Sequence, residues 1–166
     1  MERILYDILA ELELQSSRLG LSYVDEDFGQ LEALDNEEDT YPLTFPAVLA
    51  EVQGVSWSHT DRLQQEGTAT VVVRLLIDCY DDTHANSTQM HKILEREGLN
   101  GEIVKLIHGM RILDNTSMLT RVSSNTYNGP HLIKVYETTY TAKVWEKFGT
   151  EKTTAIQSVK ISKGLF

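Results

Sequence analysis

Residues 68–80 constrain the fold of this chain more than any other segment. One set of alternate positions is uniformly apolar, and the intervening set mixes apolar residues with Arg74 and Asp78. Successive side chains of a strand point to opposite faces of the sheet, so this pattern predicts one long strand. One of its faces is expected to pack against helices, whereas the other is partly polar or meets a partner. The uniformly apolar positions are Ala69, Val71, Val73, Leu75, Ile77 and Cys79.

The chain before this strand begins with a helical pattern. Apolar residues recur at helical spacing over residues 2–19 and predict an amphipathic helix that ends near Gly20. Residues 21–24 are consistent with a short strand. Residues 25–40 are acidic and polar, so we expect a long loop with one helical turn at 30–34.

A second strand is predicted over residues 45–52. Pro46 lies at its start, where a missing N–H is least harmful. Gly54 indicates a bulge or bend, after which residues 55–59 continue the strand. The polar residues 61–66 then predict a hairpin-like connection to the central strand.

A second helix is expected to begin at Asn86 or Ser87 and to end near His108. Gly98 and Gly101 are expected to break or kink it, because glycine is a poor helix former. The predicted apolar stripe of this helix consists of Met90, Ile93, Leu94, Ile103, Leu106 and Ile107.

The last predicted element is a β-hairpin. Residues 117–126 pair with residues 132–145 across a turn at 127–130, where Asn-Gly is a strong turn signal. The second arm places Leu132, Tyr136, Tyr140 and Val144 on one side. The predicted fold class is therefore α+β: an antiparallel or mixed β-sheet with two helices packed on one face and a C-terminal β-hairpin. The domain is expected to span residues 1–148, and residues 149–166 form an extended tail.

Composition narrows the class of protein. The chain has 166 residues and a single cysteine, Cys79, so an internal disulfide is excluded and a reducing compartment fits. Its first residues do not resemble a signal peptide, and no apolar run approaches the length of a membrane span. We therefore expect an intracellular protein without a membrane partner.

The net charge of −10 is concentrated at one end of the chain. Residues 1–50 hold 12 acidic and 2 basic side chains, whereas the remainder is balanced. Phosphate binding needs cations, so the acidic segment does not bind nucleic acid. It serves to solvate a loop, to hold divalent cations or to repel DNA.

Few residues suggest catalysis. No phosphate-binding glycine loop, nucleophile elbow or CxxC pair occurs. Asp81, Asp82, His84 and His91 have the residue types of a divalent-metal site, although Asp-Asp-x-His is also common in solvated turns. We predict no enzyme activity, no catalytic residue, no metal and no cofactor.

The string Phe45-Pro46-Ala47-Val48 and the strand-loop-helix step over residues 78–89 resemble the tail-terminator family of long-tailed bacteriophages. These proteins are also known as tail completion or minor tail protein U-like proteins. The resemblance covers roughly residues 2–145 and includes the order of elements. The chain departs from the pattern in its long acidic loop and in its tail after Phe148.

This resemblance implies a structural protein of the virion tail, assembled in the bacterial host cytoplasm and without catalytic residues or cofactor. Six copies would form a ring that ends the tail tube and joins it to the head connector. Its partners would be its own copies, the tail tube protein and a head–tail connector protein, with DNA only as passing cargo. The alternatives are a small intracellular binding or adaptor domain, and a metal-dependent hydrolase that uses the Asp81–His91 group.

A ring subunit needs interfaces, and the sequence offers three candidates. The acidic segment is expected to face the lumen or a neighbouring copy. Trp57 and Trp145 are either interface anchors or core residues. The basic tail is expected to reach an adjacent copy. The predicted interface residues are Asp25, Glu26, Asp27, Glu37, Glu38, Asp39, Trp57, Trp145, Ile156, Val159 and Ile161.

Overall fold

A computed structural model describes residues 2–35, 43–59 and 63–149. It contains three α-helices and five strands. In chain order they are α1 (Glu2–Leu19), β1 (Tyr23–Glu26), α2 (Gln30–Asp35), β2 (Ala47–His59), β3 (Gln64–Asp78), α3 (Lys92–Ile107), β4 (Thr120–Asn128) and β5 (Ile133–Lys147). A short 3-10 turn, Pro130–Leu132, precedes β5.

The five strands form one sheet in the order β1-β2-β3-β5-β4. β1 runs parallel to β2, and every other neighbouring pair is antiparallel. The sheet is therefore mixed, and β4 and β5 form the predicted C-terminal hairpin. This arrangement confirms the predicted fold class.

The larger core lies between one face of the sheet and the two long helices. The alternate apolar positions of β3, from Ala69 to Ile77, are buried there, and Cys79 is partly buried beside them. α1 contributes Ile4, Leu5, Ile8 and Leu12, and α3 contributes Ile103 and Ile107. Burial of these apolar side chains supplies the main driving force for placing both helices on one face, as predicted.

The opposite face of the sheet carries a second, smaller core. Leu31 of α2 packs there with Leu76, Ile133 and Val135. The mixed face of β3 is thus partly covered by α2, the helical turn expected within the acidic segment. That segment is not one loop: it supplies strand β1 and helix α2 before it leaves the described residues.

The boundaries of α3 correct the sequence prediction. Asn86 has φ 77°, and the Ser87 hydroxyl bonds the Asp82 carbonyl, so turns occupy the expected first turns of the helix. The helix begins only at Lys92. Gly98 and Gly101 do not break it, because a 16-residue hydrogen-bonded helix tolerates a cost of about 1 kcal/mol per glycine.

Several smaller corrections follow from side-chain exposure. Met90, Ile93 and Leu94 were predicted in the apolar stripe of α3, but all three are exposed, because none of the described elements covers the start of this helix. Leu132 lies in the turn before β5 and is also exposed, unlike Tyr140 and the other alternate positions of β5. The expected bulge at Gly54 is present.

Candidate interaction surfaces

The ordered part of the acidic segment is organised around one arginine. Arg74 projects from the otherwise apolar run 71–77 of β3, and its Nη1 lies 3.0 Å from both Asp27 Oδ2 and Glu32 Oε1. Its Nε donates to Glu137 Oε2 of β5 at 3.1 Å. One guanidinium therefore joins the chain after β1, the helix α2 and the strand β5, and three carboxylates surround a single positive charge.

The protonation equilibria reflect this crowding. Burial raises the pKa of Asp27, and the hydrogen bond from the Gly29 N–H and the nearby Arg74 charge only partly offset that effect. Burial alone lowers the pKa of the Arg74 guanidinium. The electrostatic interactions with Asp27, Tyr127 and Glu32 together have the larger effect, so the pKa is raised. Asp27 and Arg74 form an ion pair, but the Oδ2 atom of Asp27 accepts no hydrogen bond of good geometry from the guanidinium.

The other acidic interface candidates are placed differently. Asp25 accepts hydrogen bonds from the Tyr23 hydroxyl at 2.6 Å and from the Glu26 N–H at 2.8 Å. Glu26 and Asp27 line a small cleft of about 140 Å³ together with Glu51 of β2. Asp25 is thus held by local contacts, whereas the cleft gathers several carboxylates. The candidates Glu37, Glu38 and Asp39 lie outside the described residues.

The two tryptophans stand at the same end of the sheet on opposite faces. Trp57 is opposite Gly67 in the β2–β3 register, and Trp145 is opposite Glu66 in the β3–β5 register. Because Glu66 and Gly67 are consecutive in one strand, their paired residues point in opposite directions.

The local contacts of the tryptophans differ. Trp57 packs on the backbone of Gly67, where an added Cβ would lie 2.7 Å from its ring. Trp145 donates from Nε1 to Glu66 Oε2 at 3.2 Å. Both side chains are close to 40% exposed, so neither is a core residue. Trp145 also lines an open groove of about 680 Å³ with Asn115 and Phe148.

The candidate metal residues do not converge. His84 pairs with Asp82 at 2.5 Å, whereas His91 pairs with Glu95 at 3.4 Å and Asp81 with Arg96 at 3.6 Å. Within residues 2–35, 43–59 and 63–149, no group of three His, Cys, Asp or Glu side chains is arranged to hold a metal ion. These residues behave as a solvated loop and the start of a helix.

The surface carries two features that sequence reasoning missed. Tyr80, Met90, Ile93 and Leu94 form exposed apolar surface on the β3–α3 connection and the first turn of α3. β4 ends the sheet, and its residues 120–126 are exposed on both faces. The position of Arg74 within the otherwise apolar run 71–77 was a detectable signal that this arginine has acidic partners. The polar sequence of β4 gave no comparable signal.

None of the described helices combines the length and the hydropathy that a membrane crossing requires.

Comparisons with known proteins give a likeness of fold. No protein-family model matches the chain, and no curated protein matches it by sequence. A chain of a solved structure described as "Virion of native gene transfer agent (GTA) particle" superposes with a TM-score of 0.52 at 8% sequence identity. The match covers 84% of this chain and 90% of that chain. The two chains therefore share a fold over most of their lengths.

Proposed function

We propose that this protein is a structural subunit of a phage-like particle. The observation that carries the proposal is the fold shared with the gene transfer agent virion chain over 84% of the present sequence. The resemblance of residues 45–48 and 78–89 to tail terminators is independent of this shared fold and points to the same class of particle. The role is structural rather than catalytic, which agrees with the dispersed arrangement of the candidate metal residues.

At finer detail, six copies form a ring that ends the tail tube and joins it to the head connector. A cyclic ring uses a heterologous contact, in which one surface of each copy meets a different surface of the next. Such a contact suits an exposed terminal strand and the apolar surface beside α3. The particle tail is then the location of the protein, and the tube and connector subunits are its partners.

Electrostatics favours a rim or lumen position for the acidic segment. Charges farther apart than about 8 Å are largely screened at physiological salt. Asp27 and Glu32 already share Arg74, which lowers the local negative potential. The remaining carboxylates are accommodated when the copies spread them apart or bring Lys152, Lys160 and Lys163 of the tail near them. A negative lumen also lets DNA pass without adhesion.

The test is capping of tail tubes. Purified protein is added to polymerising tubes of the parent particle, and the ends are imaged by electron microscopy. We expect six-fold rings at one end and a shortened length distribution. Trp57→Ala and Trp145→Ala, at half-exposed sites, are compared with Leu14→Ala, an exposed control on α1. A protein that never binds tubes and acts as a monomer or dimer on another partner contradicts the proposal.

A further inference from the structure

β4 is built like an acceptor for another strand. It is one of the two edge strands of the sheet, and seven of its nine residues in succession, 120–126, are exposed. Its sequence, Thr-Arg-Val-Ser-Ser-Asn-Thr-Tyr-Asn, contains one charged residue and no proline or lysine. Soluble proteins usually protect long edge strands with lysine, proline or a covering element. Beyond Val122, none of these three protects this edge within the part of the chain that the structure describes.

The open part of the edge can be located from hydrogen bonds. The first residue pair is covered, because Arg121 N donates to His108 Nδ1 at 3.2 Å and Gly109 N donates to the Leu119 carbonyl at 2.8 Å. Beyond the bulge near Val122, no strand among the described residues pairs with the outer side. There the Thr126 N–H donates to its neighbour Asn125 Oδ1 at 2.9 Å instead of to a strand.

We infer that this open edge accepts the C-terminal tail, residues 149–166, of a second copy as an added strand. The inference rests on the proposed function, because a ring is closed when each copy binds the tail of the next in this way. Residues 153–162, Thr-Thr-Ala-Ile-Gln-Ser-Val-Lys-Ile-Ser, have five β-branched side chains and no glycine or proline. That composition favours a strand, and ten residues are long enough to span the open part of β4, residues 123–128. Main-chain hydrogen bonds supply the affinity in strand addition.

The course of the chain favours a second copy over the same chain. The tail carries three lysines and one glutamate, so the acidic remainder of its own chain and that of a second copy attract it alike, and charge does not decide between them. Within one chain, Asn115 and Ser117 bond β5 at Trp145 and Lys143, on the side toward β4. The tail of the same chain would have to cross this segment to reach the outer edge. A tail from another copy does not.

The experiment is a complementation between two variants. The acceptor lacks residues 149–166 but keeps β4. The donor keeps the tail and carries Thr126→Pro, which removes an N–H that β5 does not use. Val122→Lys is a second donor in case the first fails to fold. Native mass spectrometry and sedimentation of each variant alone should show monomer, and the mixture should give a 1:1 complex that does not grow further.

A synthetic peptide of residues 149–166 tests the hydrogen bonds directly. It should bind the acceptor, whereas a peptide N-methylated at alternate residues on the pairing side should lose at least tenfold in affinity. Methylation of the other alternate set is the control. Binding that is insensitive to both methylated sets overturns strand addition.

Other outcomes separate this inference from the proposed function. A mixture that stays monomeric, because the tail is unused or folds on its own chain, overturns the inference. A tail-deleted protein that still forms rings on tubes also overturns it, but leaves the ring proposal standing. A 1:1 complex from variants whose parent never caps tubes supports strand exchange and contradicts the proposed function.

Discussion

Tyr140 makes two opposing contributions to the stability of the fold. It is fully buried in the main core, yet its hydroxyl has no hydrogen-bond partner among the described residues. Burial raises its pKa to about 12. An unpaired buried hydroxyl costs about 1–3 kcal/mol in proteins. The aromatic ring therefore stabilises the core, while the oxygen atom works against it.

Replacing this tyrosine by phenylalanine should therefore stabilise the protein. Tyr140→Phe is expected to raise the free energy of unfolding by about 1–3 kcal/mol, because it removes only the unpaired hydroxyl. Urea denaturation measures the change. Tyr23→Phe is the matched control: its hydroxyl donates to Asp25 Oδ2 at 2.6 Å, so the loss should be about 1 kcal/mol. A destabilised Tyr140→Phe would show that the hydroxyl is bonded.

Asp27 gives a prediction about pH. Burial raises the pKa of Asp27 in the folded protein above its ordinary value of 3.8. At a pH between this ordinary value and the raised pKa, the native state therefore binds more protons than the unfolded state. Stability contributed by this group therefore falls as pH rises through that window. We expect the free energy of unfolding of the wild type, minus that of Asp27→Asn, to decrease from pH 3 to pH 7, as measured by urea titration at each pH.

Glu66 is the control of opposite sign. The hydrogen bond from Lys143, together with that from Trp145, lowers the pKa of Glu66. Its contribution is lost as pH falls, so the same difference taken for Glu66→Gln should increase with pH. A flat profile for Asp27→Asn would contradict the assigned burial of this carboxyl.

At the scale of elements, the helices and strands that could be predicted from the sequence are those with one consistently apolar face. α1 and β3 were predicted because their apolar residues repeat at 3.6 and 2 positions and all face one core. The start of α3 was misplaced because Met90 and Ile93 continue its apolar pattern, although no described element covers them. Arg74 was recognisable as an arginine within an apolar run, but its partners could not be derived, because Asp27 and Glu137 are brought to it only by the sheet order.

The face assignment of β3 is testable by deletion of side-chain volume. Leu75 is 1% exposed in the larger core, so Leu75→Ala should lower the free energy of unfolding by roughly 2–5 kcal/mol. The matched control is Leu14→Ala, since Leu14 is 74% exposed on α1 and should change stability by less than about 0.5 kcal/mol. A loss below about 1 kcal/mol at Leu75 would reverse the assignment.

At the scale of the whole molecule, the rival metal-dependent role is separable from the structural one. The dispersed pairs of Asp81, Asp82, His84 and His91 predict that a chelator leaves the melting temperature unchanged. Elemental analysis should then find no stoichiometric metal. One metal equivalent per chain that disappears in Asp82→Ala would overturn this view and favour the hydrolase alternative.

Charge sets the last prediction, which concerns assembly. Each copy carries a net charge of −10, so contact between copies is opposed by repulsion that salt screens. Individual exposed ion pairs, including those available to the tail lysines, contribute only about 0–1 kcal/mol each. Net repulsion should therefore decide the salt dependence, and assembly should strengthen from low to moderate salt.

The triple variant Glu37→Gln, Glu38→Gln, Asp39→Asn reduces the charge to −7 and should assemble at lower salt, as followed by light scattering. Assembly that weakens steadily with salt would instead mean that pairing between the basic tail and the acidic segment holds the copies together.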